Sequence, residues 1–342
     1  MLFFFIKFII IIYKYIEYYF NMEFNVLYCI DENKKDFSRY LWVSILSLLE
    51  KNKDEDVHIY ILTRYIEDSN KQELIKIVNN FWKKISFSDY KDEIIPEKFK
   101  SILTLSWNWP IATYYRFFFN YLFNIKDRLL YLDCDTIINK NLSEFYNSDF
   151  KWNVIIWTND VSLFERERKH KLWLENYINA GVFLLDINLF EKYNLYSEFK
   201  VVNKKFKKLE YNDQDYINLV FKDKIKIYKY LQYVYCFKYM HDFDNYLIIH
   251  TVNKPNTWYT WLCWKDIESL FNQYLIKTKW SSYVWYSKEK TLRTYLSNMF
   301  NNIKFFLIYY TYKFFWPRCS NYVRLFFIGL FNIVSNFLKK HN

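Results

Sequence analysis

The apolar pattern of the chain predicts alternating strands and helices. Apolar runs at Phe24–Ile30 and Val57–Leu62 have the length of buried strands, whereas residues 40–49 carry apolar side chains at helical spacing. A helix over Ser69–Asn79 and a short strand over Ile85–Phe87 follow. The alternation predicts an α/β fold in which helices flank a mostly parallel sheet.

Six further elements continue this pattern. They are a helix over Pro110–Phe123, strands over Leu129–Leu132, Val154–Trp157 and Tyr177–Asp186, a helix that opens at Asn212–Asp215 and continues to Phe221, and a strand over Leu247–His250. Ligands of such sheets bind beyond the carboxyl ends of the strands, where Asp31, Asn33, Asp133 and Asp135 are expected. With 2 glycines in the chain, a Gly-rich dinucleotide fingerprint and a phosphate-binding P-loop are excluded.

Two carboxylates follow the Leu129–Leu132 strand at alternate positions. Asp133 and Asp135 would share a face of an extended chain, and carboxylate oxygens suit Mg²⁺ or Mn²⁺, which in turn suits a diphosphate. His250 and Lys254 would add an imidazole ligand and a phosphate-binding cation. The alternatives are an acidic turn and a structural histidine.

Other candidate residues also have structural alternatives. Arg116 is either a site residue or a surface arginine. The acidic residues of Asn212–Asp215 are either site residues or helix N-caps. Gly181, within a predicted strand, marks a close approach of the backbone to another group.

Composition and charge narrow the class of protein. At 342 residues with 52% apolar residues, the chain allows one large or two ordinary domains. Its 5 scattered cysteines contain no C-x-x-C pair, which favours reduced thiols in a cytoplasmic setting over a zinc ribbon or disulfides. From residue 277 onward the sequence has eleven Lys and Arg residues and one acidic residue, Glu289, so ten of the net +11 charges lie there. A near-neutral body argues against nucleic-acid binding.

Three regions follow from this distribution. Residues 1–21 are apolar but interrupted by Lys7, Lys14 and Glu17; they predict neither a clear membrane span nor a signal peptide. We expect Met22 to be the initiator, with an N-terminal membrane anchor as the alternative. Residues 22–276 form the predicted catalytic domain. Residues 277–342 are predicted to be basic, aromatic helices on an anionic membrane surface, or else a helical subdomain packed on the body.

Taken in order, these motifs resemble glycosyltransferase family 8, retaining sugar transferases that include bacterial lipopolysaccharide galactosyl- and glucosyltransferases and, more distantly, glycogenin. The resemblance runs from about Phe24 to Trp258. It rests on Asp31 and Asn33, Arg116, Leu-Tyr-Leu-Asp-Cys-Asp135, Asn179-Ala-Gly-Val, Asp213-Gln-Asp215, and His250 with Lys254-Pro255. It implies a GT-A fold, that is, a Rossmann-like mixed sheet flanked by helices, with a UDP-sugar donor and Mn²⁺ or Mg²⁺.

The resemblance also implies roles for these residues. The nucleotide would be held by Asp31, Asn33, Asp133 and Cys134, and the metal ion by Asp133, Asp135 and His250. Lys254 would bind the phosphate. The donor sugar would be contacted by Arg116, Asn179, Asp213 and Gln214, and the acceptor by Asp160. The chain departs from the family in two places. The spacing from His250 to Lys254 is short and lacks glycine, and Cys134 occupies the middle of the metal motif.

The expected activity is transfer of galactose or glucose from a UDP-sugar to lipopolysaccharide, lipooligosaccharide or another surface glycan. Front-face displacement guided by the leaving phosphate is favoured, and Asp213 is the nucleophile of the rival scheme. The enzyme would be peripheral on the cytoplasmic face of the bacterial inner membrane. Alternatives are an inactive membrane-associated interaction protein on a transferase fold, and a metal-dependent nuclease or nucleotidyltransferase.

Overall fold

The computed structural model describes nine segments of the chain: 23–32, 38–88, 94–103, 111–157, 163–206, 209–228, 232–234, 245–250 and 264–281. The predictions for residues 1–21, Asn33, Asp160, Lys254 and the tail beyond residue 281 lie outside these segments. The chain divides into two compact units, residues 1–254 with 271–284 and residues 255–270 with 285–342. Of the second unit only residues 264–270 are described.

A seven-stranded sheet forms the centre of the first unit. Its strands, in chain order, are β1 (Phe24–Ile30), β2 (Val57–Thr63), β3 (Lys84–Phe87), β4 (Arg128–Leu132), β6 (Ile155–Trp157), β7 (Val182–Asp186) and β8 (Ile225–Ile227). The spatial order is β3-β2-β1-β4-β7-β6-β8. The strands from β3 to β4 are parallel, but β7 is antiparallel to both neighbours. The expected α/β architecture is therefore confirmed with a mixed sheet.

Helices lie between these strands and after the last of them. They are α1 (Ser38–Lys51), α2 (Asp68–Asn80), α3 (Glu97–Lys100), α4 (Ser143–Tyr146), α5 (Leu163–Leu172), α6 (Ile187–Phe190), α7 (Leu195–Lys205), α8 (Asn212–Val220) and α9 (Trp264–Leu275). Among the described residues no helix is both long and apolar enough to cross a membrane.

A second sheet of three strands joins the first through the acidic turn. Its strands are β5 (Thr136–Ile138), β9 (Gln232–Val234) and β10 (Ile248–His250), in the order β5-β10-β9. The turn Asp133–Asp135 carries the chain from β4 in the large sheet to β5 in the small one. Because β10 pairs antiparallel with β5, His250 lies opposite Thr136 and next to this turn.

Helix α1 is buried from Ser38 to Leu49 and links the two sheets. The Ser44 hydroxyl shares hydrogen bonds with the Tyr28 hydroxyl of β1 at 3.0 Å and the Thr136 hydroxyl of β5 at 2.8 Å. Ser47 Oγ accepts from the Ile138 amide at 2.9 Å. These serines stay buried because each finds a polar partner, and they fix β5, and hence the acidic turn, relative to β1.

The helix expected over Pro110–Phe123 is instead a pair of 3₁₀ helices, Ile111–Phe117 and Phe119–Tyr121. Arg116 Nε donates to the Thr113 carbonyl at 2.8 Å, occupying a backbone acceptor. The segment is rich in aromatic residues, whose helix propensity is modest. The segment is therefore helical, as predicted, but its turns are of the 3₁₀ type.

The strand expected over Tyr177–Asp186 begins only at Val182. The backbone groups of Ile178 and the Ala180 amide bond to side chains instead of a strand partner. Asn218 of α8 accepts from the Ile178 amide at 2.7 Å and donates to its carbonyl at 2.8 Å. The Ala180 amide donates to Gln214 Oε1 at 2.9 Å. Amide side chains on α8 thus replace the sheet ladder, a contact that local sequence does not reveal.

Candidate active site

Three potential metal ligands converge at the acidic turn. Asp133, Asp135 and His250 each offer one ligand atom, and these atoms lie within 4.8 Å of one another. His250 Nε2 is 3.1 Å from Asp135 Oδ1 and 3.7 Å from Asp133 Oδ2. The imidazole is nearly buried, at 3% exposure, whereas the two carboxylates are partly open to solvent. The structure therefore brings together the three ligands proposed from the sequence.

This ligand set fits a divalent cation. Adjacent ligands about 2.1 Å from an octahedral ion lie about 3.0 Å apart, close to the 3.1 Å between His250 and Asp135. Two carboxylates with one imidazole suit Mn²⁺ better than Mg²⁺, because Mg²⁺ is usually held by oxygen atoms alone. The partly exposed carboxylates leave room for a further ligand such as a diphosphate oxygen.

Arg116 lies between α8 and the three potential ligands Asp133, Asp135 and His250, which we call the metal-ligand group. Its Nη2 lies 3.1 Å from Asp133 Oδ1, and its Nε lies 3.2 Å from Asp213 Oδ2. It also donates to the Ala180 carbonyl and stacks over the Tyr131 ring, 4.3 Å from the centroid. Burial alone would lower the pKa of Arg116, but the adjacent carboxylates raise it. The guanidinium therefore remains charged, and the alternative that Arg116 is a surface arginine is excluded.

Asp213 is a buried carboxyl with a shifted pKa. Burial raises the pKa of Asp213 from 3.8 to about 6, even though the neighbouring Arg116 favours the charged form. Desolvation outweighs the single ion pair because the carboxyl has lost most of its hydration. Asp213 can therefore exchange a proton near neutral pH, and as an anion it holds Arg116.

Asp133 has two further partners that the sequence reading did not assign. Tyr131 donates its hydroxyl proton to Asp133 Oδ1 at 2.6 Å, and the Asp133 amide donates to the Gly181 carbonyl at 2.7 Å. With Arg116 also on Oδ1, the Oδ2 atom is the one that faces His250. Alternation along β4 could have identified Tyr131, since it lies two positions before Asp133.

Gly181 lies directly against the metal-ligand group. A Cβ atom added here would lie 2.0 Å from His250 Cε1 and 2.7 Å from Asp133 Oδ2. The backbone must pass this close, so only glycine fits, as its place in the sequence suggested. Its amide donates to Asn179 Oδ1 at 2.8 Å, which anchors Asn179 within the same loop.

Gln214 packs against the same loop from α8. Its Oε1 accepts from the Ala180 amide at 2.9 Å, and its Nε2 donates to the Tyr177 hydroxyl at 3.1 Å. Tyr177 and the buried Arg168, which pairs with Asp215, were not assigned roles from the sequence. Their contacts cross between α5, α8 and the 177–181 loop, so no local pattern marks them.

Asp31 and Cys134 lie at the same edge of the large sheet but face different partners. Asp31 Oδ2 is 3.1 Å from Arg64 Nη2, and its Oδ1 is buried without a hydrogen-bond partner among the described residues. Cys134 is buried, and its Sγ is 3.5 Å from the Cys29 carbonyl. The thiol thus points into the body, so only the backbone of Cys134 is available to a ligand.

The structure therefore gathers seven of the sequence-derived candidates around one point. These are Arg116, Asp133, Asp135, Asn179, Asp213, Gln214 and His250. Asp31 lies in a separate ion pair. Asn33, Asp160 and Lys254 lie outside the described residues.

Two curated lipopolysaccharide glycosyltransferases are similar to this chain in sequence. Lipopolysaccharide 1,2-glucosyltransferase of Escherichia coli is 31% identical over 216 residues, 60% of this chain and 60% of that protein. Lipopolysaccharide 1,3-galactosyltransferase of Salmonella typhimurium strain LT2 is 26% identical over 224 residues, 63% of this chain and 64% of that protein. The chain thus matches less than two thirds of the length of these curated relatives.

A solved structure and a family model complete the comparison. The galactosyltransferase LgtC, in complex with donor and acceptor sugar analogues, superposes with a TM-score of 0.62 at 20% identity, covering 75% of this chain and 96% of LgtC. That likeness shows the GT-A fold. The family model for glycosyl transferase family 8 matches residues 25–260, more than half of the chain. The chain therefore belongs to glycosyl transferase family 8.

Proposed function

We propose that this chain is a retaining hexosyltransferase. It moves galactose or glucose from a UDP-sugar to lipopolysaccharide, lipooligosaccharide or another surface-glycan acceptor, and it requires Mn²⁺ or Mg²⁺. Membership of family 8 and relatives described as lipopolysaccharide glucosyl- and galactosyltransferases support this proposal. The observation that carries it is the meeting of Asp133, Asp135 and His250 beside the Arg116–Asp213 ion pair.

The metal-ligand group answers the main chemical difficulty of the reaction. Breaking a sugar–phosphate bond requires stabilisation of the diphosphate that leaves, and a divalent ion held by Asp133, Asp135 and His250 would supply positive charge where the negative charge develops. Lys254, four positions beyond His250, is the proposed additional cation on the phosphate. Asp31, whose buried Oδ1 has no described partner, is the proposed acceptor of a hydrogen bond from the nucleoside.

The neighbouring side chains would position the donor sugar. Arg116 is held between Asp133 and Asp213, and the loop with Asn179 is held by Gln214 through the Ala180 amide. The engagement of Asp213 with Arg116 makes its carboxylate a poor free nucleophile. This favours front-face displacement, in which the acceptor oxygen bonds to the anomeric carbon on the side from which the phosphate departs, and the hydroxyl proton passes to a phosphate oxygen.

The acceptor class and the location are proposed from the tail and the relatives. Nine of the eleven basic residues beyond residue 276 lie outside the described segments, whereas Lys277 pairs with Glu50 at 2.7 Å and Lys279 stacks over the Trp42 ring at 4.9 Å. We propose that these nine bind anionic lipid, where each cation contributes about 1 kcal/mol. We place the enzyme on the cytoplasmic face of the bacterial inner membrane.

A donor screen tests the function. The full chain is incubated with a panel of UDP-hexoses and Mn²⁺, and released UDP is measured with and without EDTA. We expect metal-dependent release from UDP-galactose or UDP-glucose, because transferases slowly hydrolyse their donors. With an acceptor, proton NMR of early product should show the α configuration of the donor; a β product would contradict retention.

The same screen separates the alternative functions. An inactive interaction protein on this fold should release no UDP and should show no thermal stabilisation by UDP with Mn²⁺. A nuclease or nucleotidyltransferase should act on nucleic acid or nucleotides in the presence of Mn²⁺ and leave UDP-hexoses intact. Either pattern would contradict the proposed transferase.

A further inference from the structure

We propose that Arg168, Asp215 and Tyr177 are positioning residues that fix the orientation of the Gln214 amide. The inference rests on the proposed function, in which Gln214 contacts the donor sugar. Arg168, Asp215, Tyr177 and Gln214 form one continuous series of hydrogen bonds, which we call the Gln214 chain. It crosses from α5 to α8 to the 177–181 loop and ends beside the metal-ligand group.

The two ends of the Gln214 amide have different partners. The Ala180 backbone amide can only donate, so the atom 2.9 Å from it must be the Gln214 oxygen. The nitrogen then faces the Tyr177 hydroxyl at 3.1 Å. The oxygen and nitrogen positions of this amide therefore follow from its partners.

The direction of the Tyr177 hydroxyl is also determined. The hydroxyl has one proton and lies 2.7 Å from Asp215 Oδ1, a group that only accepts. Tyr177 must donate to Asp215 and so can only accept from Gln214. Burial, together with the adjacent carboxylate, raises the pKa of Tyr177 well above its ordinary value, which keeps this proton on the phenol.

Asp215 is held as an acceptor by several donors. The carboxylate has no exposed surface, and Arg168 approaches it with Nε at 3.3 Å and Nη2 at 2.5 Å. The backbone amides of Glu210 and Tyr211 add bonds of 3.0 Å each. A buried charge is tolerated only when it is paired and hydrogen-bonded, and this carboxylate meets both conditions. Asp215 is therefore no simple helix cap.

Loss of the Tyr177 hydroxyl would release the amide. Without a group that accepts from Nε2, the Gln214 side chain keeps the Ala180 contact as its one remaining hydrogen bond among the described residues, and it can rotate about that bond. The amide would then present a mixture of donor and acceptor to the ligand. Because misplacement of a positioned group by about 1 Å can cost on the order of 100-fold in rate, the hydroxyl should affect turnover without touching the substrate.

An NMR experiment on the full chain tests the structural part of the inference. The chain has four glutamines, Gln72, Gln214, Gln232 and Gln273, so selective ¹⁵N-glutamine labelling gives four side-chain amide pairs. The Gln214 pair is assigned by its loss in Gln214→Glu. In the wild type we expect an NOE between a Gln214 amide proton and the Tyr177 ring. Tyr177→Phe should shift this pair.

Tyr146→Phe is the matched control. Tyr146 is also buried and its hydroxyl also makes hydrogen bonds, to the Asn25 amide at 2.9 Å and the Glu23 carbonyl at 3.0 Å, at the opposite end of the large sheet. The Tyr146→Phe substitution should therefore leave the Gln214 signals at their wild-type positions. Melting curves of both variants report the general cost of losing a buried hydroxyl.

Kinetics test the functional part. Tyr177→Phe should lower kcat for UDP-hexose turnover by on the order of 10-fold or more with little change in KM. Added to Gln214→Ala, it should cause no further loss, since both changes remove one interaction. Additive losses, or a Tyr146→Phe effect of the same size, would overturn the positioning role.

The outcomes separate this inference from the proposed function. If the wild type turns over UDP-hexoses but Tyr177→Phe leaves both kcat and the Gln214 signals unchanged, the inference is wrong and the function stands. If no UDP-hexose is turned over, the proposed function fails, and the NMR result still decides whether the hydrogen bonds of Arg168, Asp215 and Tyr177 orient Gln214. If Tyr177→Phe does not fold, absence of the wild-type NOE overturns the inference and its presence supports it.

Discussion

Replacing Gly181 by alanine should damage the metal-ligand group by steric overlap alone. The added Cβ would lie 2.0 Å from His250 Cε1, 2.7 Å from His250 Nδ1 and 2.7 Å from Asp133 Oδ2. The φ angle of Gly181 is not positive, so alanine can adopt the backbone conformation. The three nearest atoms, which would have to give way first, belong to the side chains of His250 and Asp133.

The size of the effect follows from these distances. Carbon atoms pack at about 3.5 Å or more, so the imidazole has to retreat by about 1.5 Å. Metal–ligand distances tolerate about 0.2 Å, and disturbing the support of a ligand typically costs 10–100-fold in metal affinity. Overpacking should also cost about 1–3 kcal/mol of stability. Glycine-to-alanine replacement offsets part of this, about 0.4–1 kcal/mol, by reducing the entropy of the unfolded chain.

Two measurements on the full chain check this reasoning. Calorimetric titration with Mn²⁺ should show affinity reduced at least 10-fold in Gly181→Ala. Thermal melts without metal should show a lower Tm. In a His250→Ala background the same substitution should cost much less stability, because two of the three overlaps have been removed.

The result that refutes the argument is specific. If Gly181→Ala binds Mn²⁺ as tightly as the wild type and melts at the same temperature or higher, the backbone does not approach His250 as the structure has it. A stability cost that is equal in the His250→Ala background would place the clash elsewhere.

Three further predictions concern the metal, the pH dependence and the tail. Asp135→Ala should abolish Mn²⁺-dependent UDP release while leaving the melting curve intact, and undiminished release would remove the metal assignment. Because burial raises the pKa of Asp213 from 3.8 to about 6, the folded state favours the protonated carboxyl. Asp213 therefore contributes about 3 kcal/mol to the free energy of unfolding below about pH 4, and this contribution is lost as pH rises through 6. The free energies of unfolding of wild type and Asp213→Asn, measured with denaturant, should diverge over that range. A difference that stays constant with pH would contradict the prediction. Truncation after Ser281 removes nine Lys and Arg residues and should release the protein from anionic vesicles in a sedimentation assay yet spare donor hydrolysis; continued sedimentation would disprove the role of the tail.

Local pattern was enough for three adjacent strands of the large sheet, β1, β2 and β4. Strand β1 occupies Phe24–Ile30 as predicted, and β2 and β4 differ from prediction by one residue at an end. These strands are buried on both faces, so they read as continuous apolar runs whose ends are marked by acidic residues. The pair Asp133 and Asp135 could be placed at a strand end for the same reason, and family resemblance supplied its chemistry.

Only the tertiary structure decided how the remaining site residues meet. His250 and Asp135 are 115 positions apart in the chain, and they become neighbours because β10 pairs antiparallel with β5 in one register. Arg116 reaches Asp133 and Asp213 from a 3₁₀ helix, a type of helix that the sequence pattern did not specify. The Ile178 and Ala180 amides bond to side chains of α8 instead of extending β7. Periodicity reports which side of an element is buried, but not which element covers it. The contacts of the site depend on that second choice, and it is made by strand register and by the buried polar groups that must find partners.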